Sequence, residues 1–350
     1  MKNEYKRAIL IGVIGIIVIS ILILQKPKIK VEESDNEMKA PEFQGVEGWI
    51  NSKPLTMKEL RGKVVLIDFW TYSCINCIRT FPYLRDWHEK YKDKGLVIIG
   101  IHSPEFKFER ERTNIEKAAE RFDLKWPIAM DNNYDMWRAY NNHYWPHKYL
   151  VDKDGNIRYD HIGEGGYEET EQVIQKLLAE TGKKIDMNLT QEEERKFLPI
   201  TPELYFGYGY SRGNFGSKEG FKAKQTVNYS YPSSIKEDYI YMTGSWYNDA
   251  DNLKHIGNED GNVILNFIAT SVNIVASSEK EIKLYVYIDD KFINKNEAGD
   301  DVVIKNNQSY ILVKEPRLYN VVKNNPYKRA TLRLNTKEEG FSIFTFTFSA

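Results

Sequence analysis

Cys74 and Cys77, the only two cysteines of the chain, stand three residues apart where a continuous apolar run gives way to a helical pattern. The run Val64-Val65-Leu66-Ile67-Asp68-Phe69-Trp70 reads as a strand buried on both faces, and residues 75–94 read as a helix. A thiol at such a junction sees unpaired backbone N–H groups and the positive end of the helix dipole, which favours its thiolate. One turn later the second thiol comes onto the same side, close enough to attack a mixed disulfide formed at the first. Cys74 is therefore the expected nucleophile and Cys77 the expected resolving thiol. A static structural disulfide accounts poorly for the spacing, because so small a loop gains little from chain entropy. Zinc has one point in its favour, the H-x3-H spacing of His143 and His147. Those histidines lie far beyond the dozen or so residues that separate the ligand pairs of a zinc finger. No metal is expected.

Composition narrows the class. At 350 residues, 41% of them hydrophobic, the chain can bury two ordinary cores. Lys and Arg number 49 against 50 Asp and Glu, so no basic excess draws phosphate backbones to the surface, and no nucleic-acid partner is expected. Aromatics at 13% exclude disorder over most of the length. Two cysteines are too few for a disulfide-rich scaffold.

The N-terminus reads as a targeting segment. Lys2, Lys6 and Arg7 precede 17 uncharged, mostly aliphatic residues, Ala8 to Leu24, and three lysines follow within six residues. The run ends in Ile21-Leu22-Ile23-Leu24, without the small residues of a cleavage site, so an uncleaved single-pass anchor is expected over a cleaved signal. Basic residues flank both ends, and charge alone does not orient it.

Five segments follow: anchor 1–30, a charged tether 31–41, an α/β unit 42–182, a polar linker 183–200 with the run Glu192-Glu193-Glu194-Arg195-Lys196, and an all-β unit 201–350. In the α/β unit, residues 96–101 read as a second strand, 110–122 as a helix, 147–151 and 157–162 as a hairpin about Asp152-Lys153-Asp154-Gly155, and 168–180 as a closing helix. Beyond Pro202 the helical period disappears. Residues 282–288 and 344–348 alternate strictly, and further short runs at 263–275, 310–313 and 331–334 complete a jelly-roll-like β-sandwich.

The motifs Asp68-Phe69-Trp70, Cys74-Ile75-Asn76-Cys77 and Pro82 resemble the thioredoxin fold. More closely, Trp70 through Tyr83 is similar to the TlpA-like domain of the DipZ family, as are Ile101 to Phe106, Tyr144-Trp145-Pro146, and the stretch from Tyr149 to Gly165. The β-rich segment, with Thr201-Pro202-Glu203, Gly244-Ser245-Trp246 and Phe346-Thr347-Phe348, resembles the carbohydrate-module-like domain that ends DipZ proteins. The resemblance implies thiol-disulfide exchange on protein substrates, with no cofactor beyond a redox-active Cys74–Cys77 disulfide, and a location outside the cytoplasmic membrane. DipZ proteins also carry a multi-span CcdA-like electron carrier. This chain has one apolar segment, so such a donor is expected as a separate protein.

By the same resemblance Asp68 is the buried acid that takes the proton of the second thiol, and its apolar neighbours favour burial. Pro146 matches the cis-proline that faces the dithiol, Trp145 adds an apolar wall, and Trp70 joins them as a substrate-binding candidate. Glu105 follows the second strand and is a candidate neighbour of the dithiol, with His102, although a solvated or structural role suits both. The absence of histidine between the cysteines points to a reductant. Two other classes compete. Thr71-x-x-Cys74 resembles the peroxiredoxin site, but Ile67 replaces its proline and Cys77 is too near for its usual resolving cysteine. A glycan-binding wall protein would use Trp246 and Tyr247 as stacking platforms, though sandwich aromatics are more often core.

Overall fold

The structure is a computed structural model that describes residues 38–185, 188–192, 198–323 and 325–349. The anchor expected at residues 8–24 and most of the 192–196 charge run lie outside the described residues. Among the described residues no helix is long and apolar enough to cross a membrane.

The first unit is a six-stranded mixed sheet in the order β1-β4-β3-β2-β5-β6, built from Gly48–Ile50 (β1), Val64–Trp70 (β2), Leu96–His102 (β3), Ile128–Met130 (β4), His147–Val151 (β5) and Ile157–Ile162 (β6). β2 runs parallel to β3 and antiparallel to β5, so it is central, and all seven of its residues are buried. That burial explains why its sequence lacks alternation: both faces are covered. One face packs against the helices Ile75–Tyr91 (α1) and Tyr167–Glu180 (α4), the latter through Val173, Ile174, Leu177 and Leu178. The other face takes Met57, Leu60, Met136 and Tyr140. Between the main helices lie Arg112–Arg121 (α2) and the single turn and a half Asp135–Ala139 (α3).

In α1 the buried residues Cys77, Thr80, Phe81, Leu84, Trp87 and Tyr91 recur every three or four positions, which fixes the stripe that faces the sheet. The helix ends at Tyr91, three residues short of the predicted end, because residues 92–94 tighten into a 3-10 turn closed by Gly95 at φ +103. Gly100 of β3 has a packing reason. A Cβ there would lie 2.7 Å from Trp70 Nε1, so only glycine leaves room for the indole.

The second unit is a large antiparallel β domain of thirteen strands, from Leu204–Tyr205 (β7) to Phe341–Ser349 (β19). Its single core gathers side chains from both ends of the strand path, among them Leu265, Ile274, Leu284, Leu332 and Phe346. The run 263–275, expected as one stretch, is two strands, Gly261–Ile268 (β11) and Ser271–Ser278 (β12), with the chain reversing at Ala269-Thr270. β12 lies between β19 and the terminal strand Arg317–Val322 (β17).

The two units pack directly. Phe106 and Phe108, after β3, meet Phe344 of β19 at ring distances of 5.3 and 4.7 Å, with Tyr205, Val275 and Leu318 around them. Lys117 and Arg121 of α2 both reach Glu315, at 3.0 and 2.9 Å. The connecting segment is pinned too, since the Thr190 amide donates to Glu171 on α4.

Candidate active site

The end of β2 delivers the chain to Cys74, which caps α1. Its backbone is extended (φ −76, ψ 113), and its Sγ accepts a hydrogen bond from the Cys77 N–H at 3.3 Å. Cys74 is half-buried and Cys77 is fully buried. Burial first, and then the adjacent Cys74 sulfur, push the Cys77 thiol well above its ordinary pKa. The pair is therefore asymmetric, with one sulfur reachable from solvent and a second that needs a proton acceptor within the protein.

Asp68 is placed to be that acceptor. It is 1% exposed, and its charge is among those that raise the Cys77 thiol. Burial pushes Asp68 up to about 6, and the charge of Lys148 holds it from going further. Lys148 Nζ lies 3.5 Å from Asp68 Oδ1, and the two residues are paired in register across β2 and β5. A buried carboxylate that titrates near neutrality beside a high-pKa thiol can act as a general base.

Ahead of Cys74, the loop is held by a residue that sequence reading missed. Glu109 is 0% exposed, and its carboxylate accepts from the Ser73 hydroxyl (2.6 Å) and amide (3.3 Å) and from the amides of Glu105 and Phe106 (2.5 and 2.9 Å). Burial raises its pKa, and the bonds from Ser73 and its neighbours counter that. One side chain thus ties the residue before the nucleophile to the loop that packs on the β domain.

The Trp145–Pro146 peptide is cis. Trp145 is half-buried and lies against Trp137 at 4.3 Å. The loop before it is organised by Asn142, whose side-chain oxygen accepts from the amides of His143 and Tyr144 and pairs with His147 Nδ1 at 2.7 Å. The other nitrogen of His147 meets Asp160 at 2.9 Å.

Trp70 stands differently from expectation, while Glu105 and His102 take the structural roles weighed for them. Trp70 is 1% exposed and packs edge-on against Phe81 and His102, so its ring belongs to the core and offers no open face to a substrate. Its place in a strand covered on both faces is the cause. Glu105 accepts from the Tyr205 hydroxyl of the β domain at 2.8 Å. His102 is 0% exposed and held neutral, its pKa driven down to about 3 by burial, so it is structural and not solvated. His143 is exposed while His147 is engaged as above, and among the described residues no three His, Cys, Asp or Glu side chains converge as a metal site. Trp246 is fully buried, its indole donating to the Thr243 carbonyl at 2.8 Å, so it offers no face to a sugar.

Residues 37–160 match the AhpC/TSA family, and residues 201–349 match the family described as a thioredoxin-like C-terminal domain. The chain belongs to the thioredoxin-like thiol-disulfide oxidoreductases. Within that class it is 41% identical to Protein DipZ of Mycobacterium bovis over 243 residues, which is 67% of this chain and 34% of that protein. The chain thus spans about a third of the length of the DipZ relatives it matches. Thiol-disulfide oxidoreductase YkuV of Bacillus subtilis is 32% identical over 142 residues, 40% of this chain and 95% of its own length. A thioredoxin-like protein solved in its oxidised form aligns with 41% of this chain and 97% of its own at 30% identity and a TM-score of 0.39.

Proposed function

We propose that the chain is a disulfide reductase that works through Cys74 and Cys77, is held by residues 8–24 at a membrane, and faces away from the cytoplasm. The observation that carries the reading is the asymmetric dithiol at the start of α1, set above the buried Asp68–Lys148 pair. The Cys74 thiolate attacks one sulfur of a protein disulfide, the S–S bond breaks, and the first substrate thiolate leaves. Cys77 then gives its proton to the Asp68 carboxylate and attacks Cys74 Sγ, which releases the second substrate thiol and leaves the Cys74–Cys77 disulfide. Two electrons from a dithiol donor restore the enzyme, and a separate CcdA-like membrane carrier is the donor proposed. The chemistry resides on the two sulfurs and calls for no metal or organic cofactor.

Pro146 and Trp145 are proposed to flank the incoming disulfide on the β5 side. The location rests on the apolar run and on the DipZ resemblance. Protease added to intact cells should shave off the folded part, while the untreated protein retains Met1 to Leu24; a mature chain starting after Leu24 would refute the anchor.

The exchange reading is tested with Cys77→Ser. That variant should accumulate mixed disulfides on Cys74 and lose turnover. Full turnover with peroxide by the same variant would put the chain among peroxidases.

A further inference from the structure

A cleft of about 510 Å³ opens between the two units beside the dithiol, within the roughly 300–1,000 Å³ usual for binding sites. One wall includes Tyr72, Ile75 and Ile78, which lie before, between and after Cys74 and Cys77 in sequence. The opposite wall belongs to the β domain, with Asn273 of β12 and Leu318 and Asn320 of β17. We propose that this cleft holds the polypeptide flanking the substrate's disulfide, so that the β domain forms the second wall of the substrate site; the proposal rests on the exchange reading above.

Three features select a peptide. The cations at the cleft are already engaged, Arg317 with Asp301 at 2.6 Å, Lys323 with Asp300, and Arg121 with Glu315, which it shares with Lys117, so each has a carboxylate partner before any anion arrives. Ile75, Ile78 and Leu318 provide apolar surface for a side chain next to the substrate cysteine. Between them, the Asn273 side chain uses its oxygen to accept from Asn320 Nδ2 at 2.8 Å, while its own Nδ2 has no partner. Asn273 is 2% exposed, and a buried donor left unpaired carries a desolvation penalty that a peptide carbonyl entering the cleft can relieve. Position completes the case. Tyr72, Ile75 and Ile78, at the start of α1, line the cleft, whereas Trp145 and Pro146 do not.

The test compares two substrates on the full chain: a disulfide-bridged peptide with apolar residues beside its cysteines, and the small aromatic disulfide 5,5′-dithiobis(2-nitrobenzoate). Asn273→Leu removes the amide from the wall, and Ser271→Trp fills the cleft from its rim, where Ser271 also lies. Each should lower kcat/KM for the peptide at least tenfold through KM while leaving the small disulfide unchanged. Should Asn273→Leu fail to fold, Ser271→Trp carries the test. Peptide reduction at wild-type efficiency by a folded Ser271→Trp variant overturns the proposal. So does competition by an N-acetylglucosamine tetramer that the peptide cannot match, which would make a sugar the occupant. A wild-type chain that fails on the small disulfide would instead refute the exchange reading itself.

Discussion

Asp68 and Lys148 face each other across adjacent antiparallel strands with their charges 3.5 Å apart, each 1% exposed. Desolvation dominates the pair, and the carboxyl sits near 6 even with the ammonium beside it. At neutral pH Asp68 is therefore mostly ionised and close to the point at which it can take a proton.

In the proposed mechanism this sets the pH dependence of release from the Cys74 mixed disulfide. The base form of Asp68 is needed, so the rate should rise as pH increases through about 6 in the wild type. Asp68→Asn nearly preserves shape and should slow that step on the order of tenfold and flatten its dependence across this range. Release from a preformed mixed disulfide measures it; equal rates in a folded variant would remove Asp68 from the mechanism.

Lys148→Met should cost stability at one end of that range and little at the other. Lys148 lowers the Asp68 pKa, so without it the midpoint of the release profile should move above 6. At pH 8 the variant leaves a buried carboxylate unpaired and should lose about 3 kcal/mol of stability. At pH 5 Asp68 is protonated in either protein and the loss should largely vanish. Denaturant unfolding at both values checks this, and an equal loss at each would show that the pair is not coupled.

How much of this was legible follows from what sequence periodicity can see. Val64 to Trp70 announced a strand buried on both faces, and the dithiol announced its C-terminal end, because both signals are local. Lys148 was missed because a lysine in a strand ordinarily marks a solvent face. Only the register that sets it opposite Asp68 shows otherwise. Trp70 is a substrate-binding candidate only by the family resemblance, and its place at the end of a strand covered on both faces carries it into the core. Glu109 closes its own turn through the amides of Glu105 and Phe106, but nothing local announces its bonds to Ser73, 36 positions away. The aromatic contact between the units, Phe106 and Phe108 on Phe344, joins residues more than two hundred positions apart, beyond the reach of any periodicity.

Glu109→Gln tests whether that hub positions the nucleophile. Glutamine keeps the volume but turns one acceptor oxygen into a donor facing amide N–H groups, so stability should fall by about 1–3 kcal/mol. Formation of the mixed disulfide at Cys74 should slow severalfold, while the pH midpoint of its release stays near 6, because Asp68 is untouched. A shift of that midpoint with no change in the first step would contradict the positioning role.

The contact between the units should itself depend on pH. Glu105 is pushed up to about 8, first by burial, then by the charges of Glu109 and Glu203, against the lowering effects of the Tyr205 hydroxyl and Arg212. Its ordinary value is near 4.5, so the folded protein favours the protonated form. The stabilisation this provides is complete below the ordinary value and is lost as pH rises through about 8. Glu105→Gln keeps an oxygen for Tyr205 and removes the titration. The wild type should therefore lose melting temperature relative to Glu105→Gln between pH 5 and pH 9 by at least about 2 °C. A difference that stays constant across that interval would mean that Glu105 is solvated when the units are packed together, and that Phe106, Phe108 and Phe344 hold them without help from the acid.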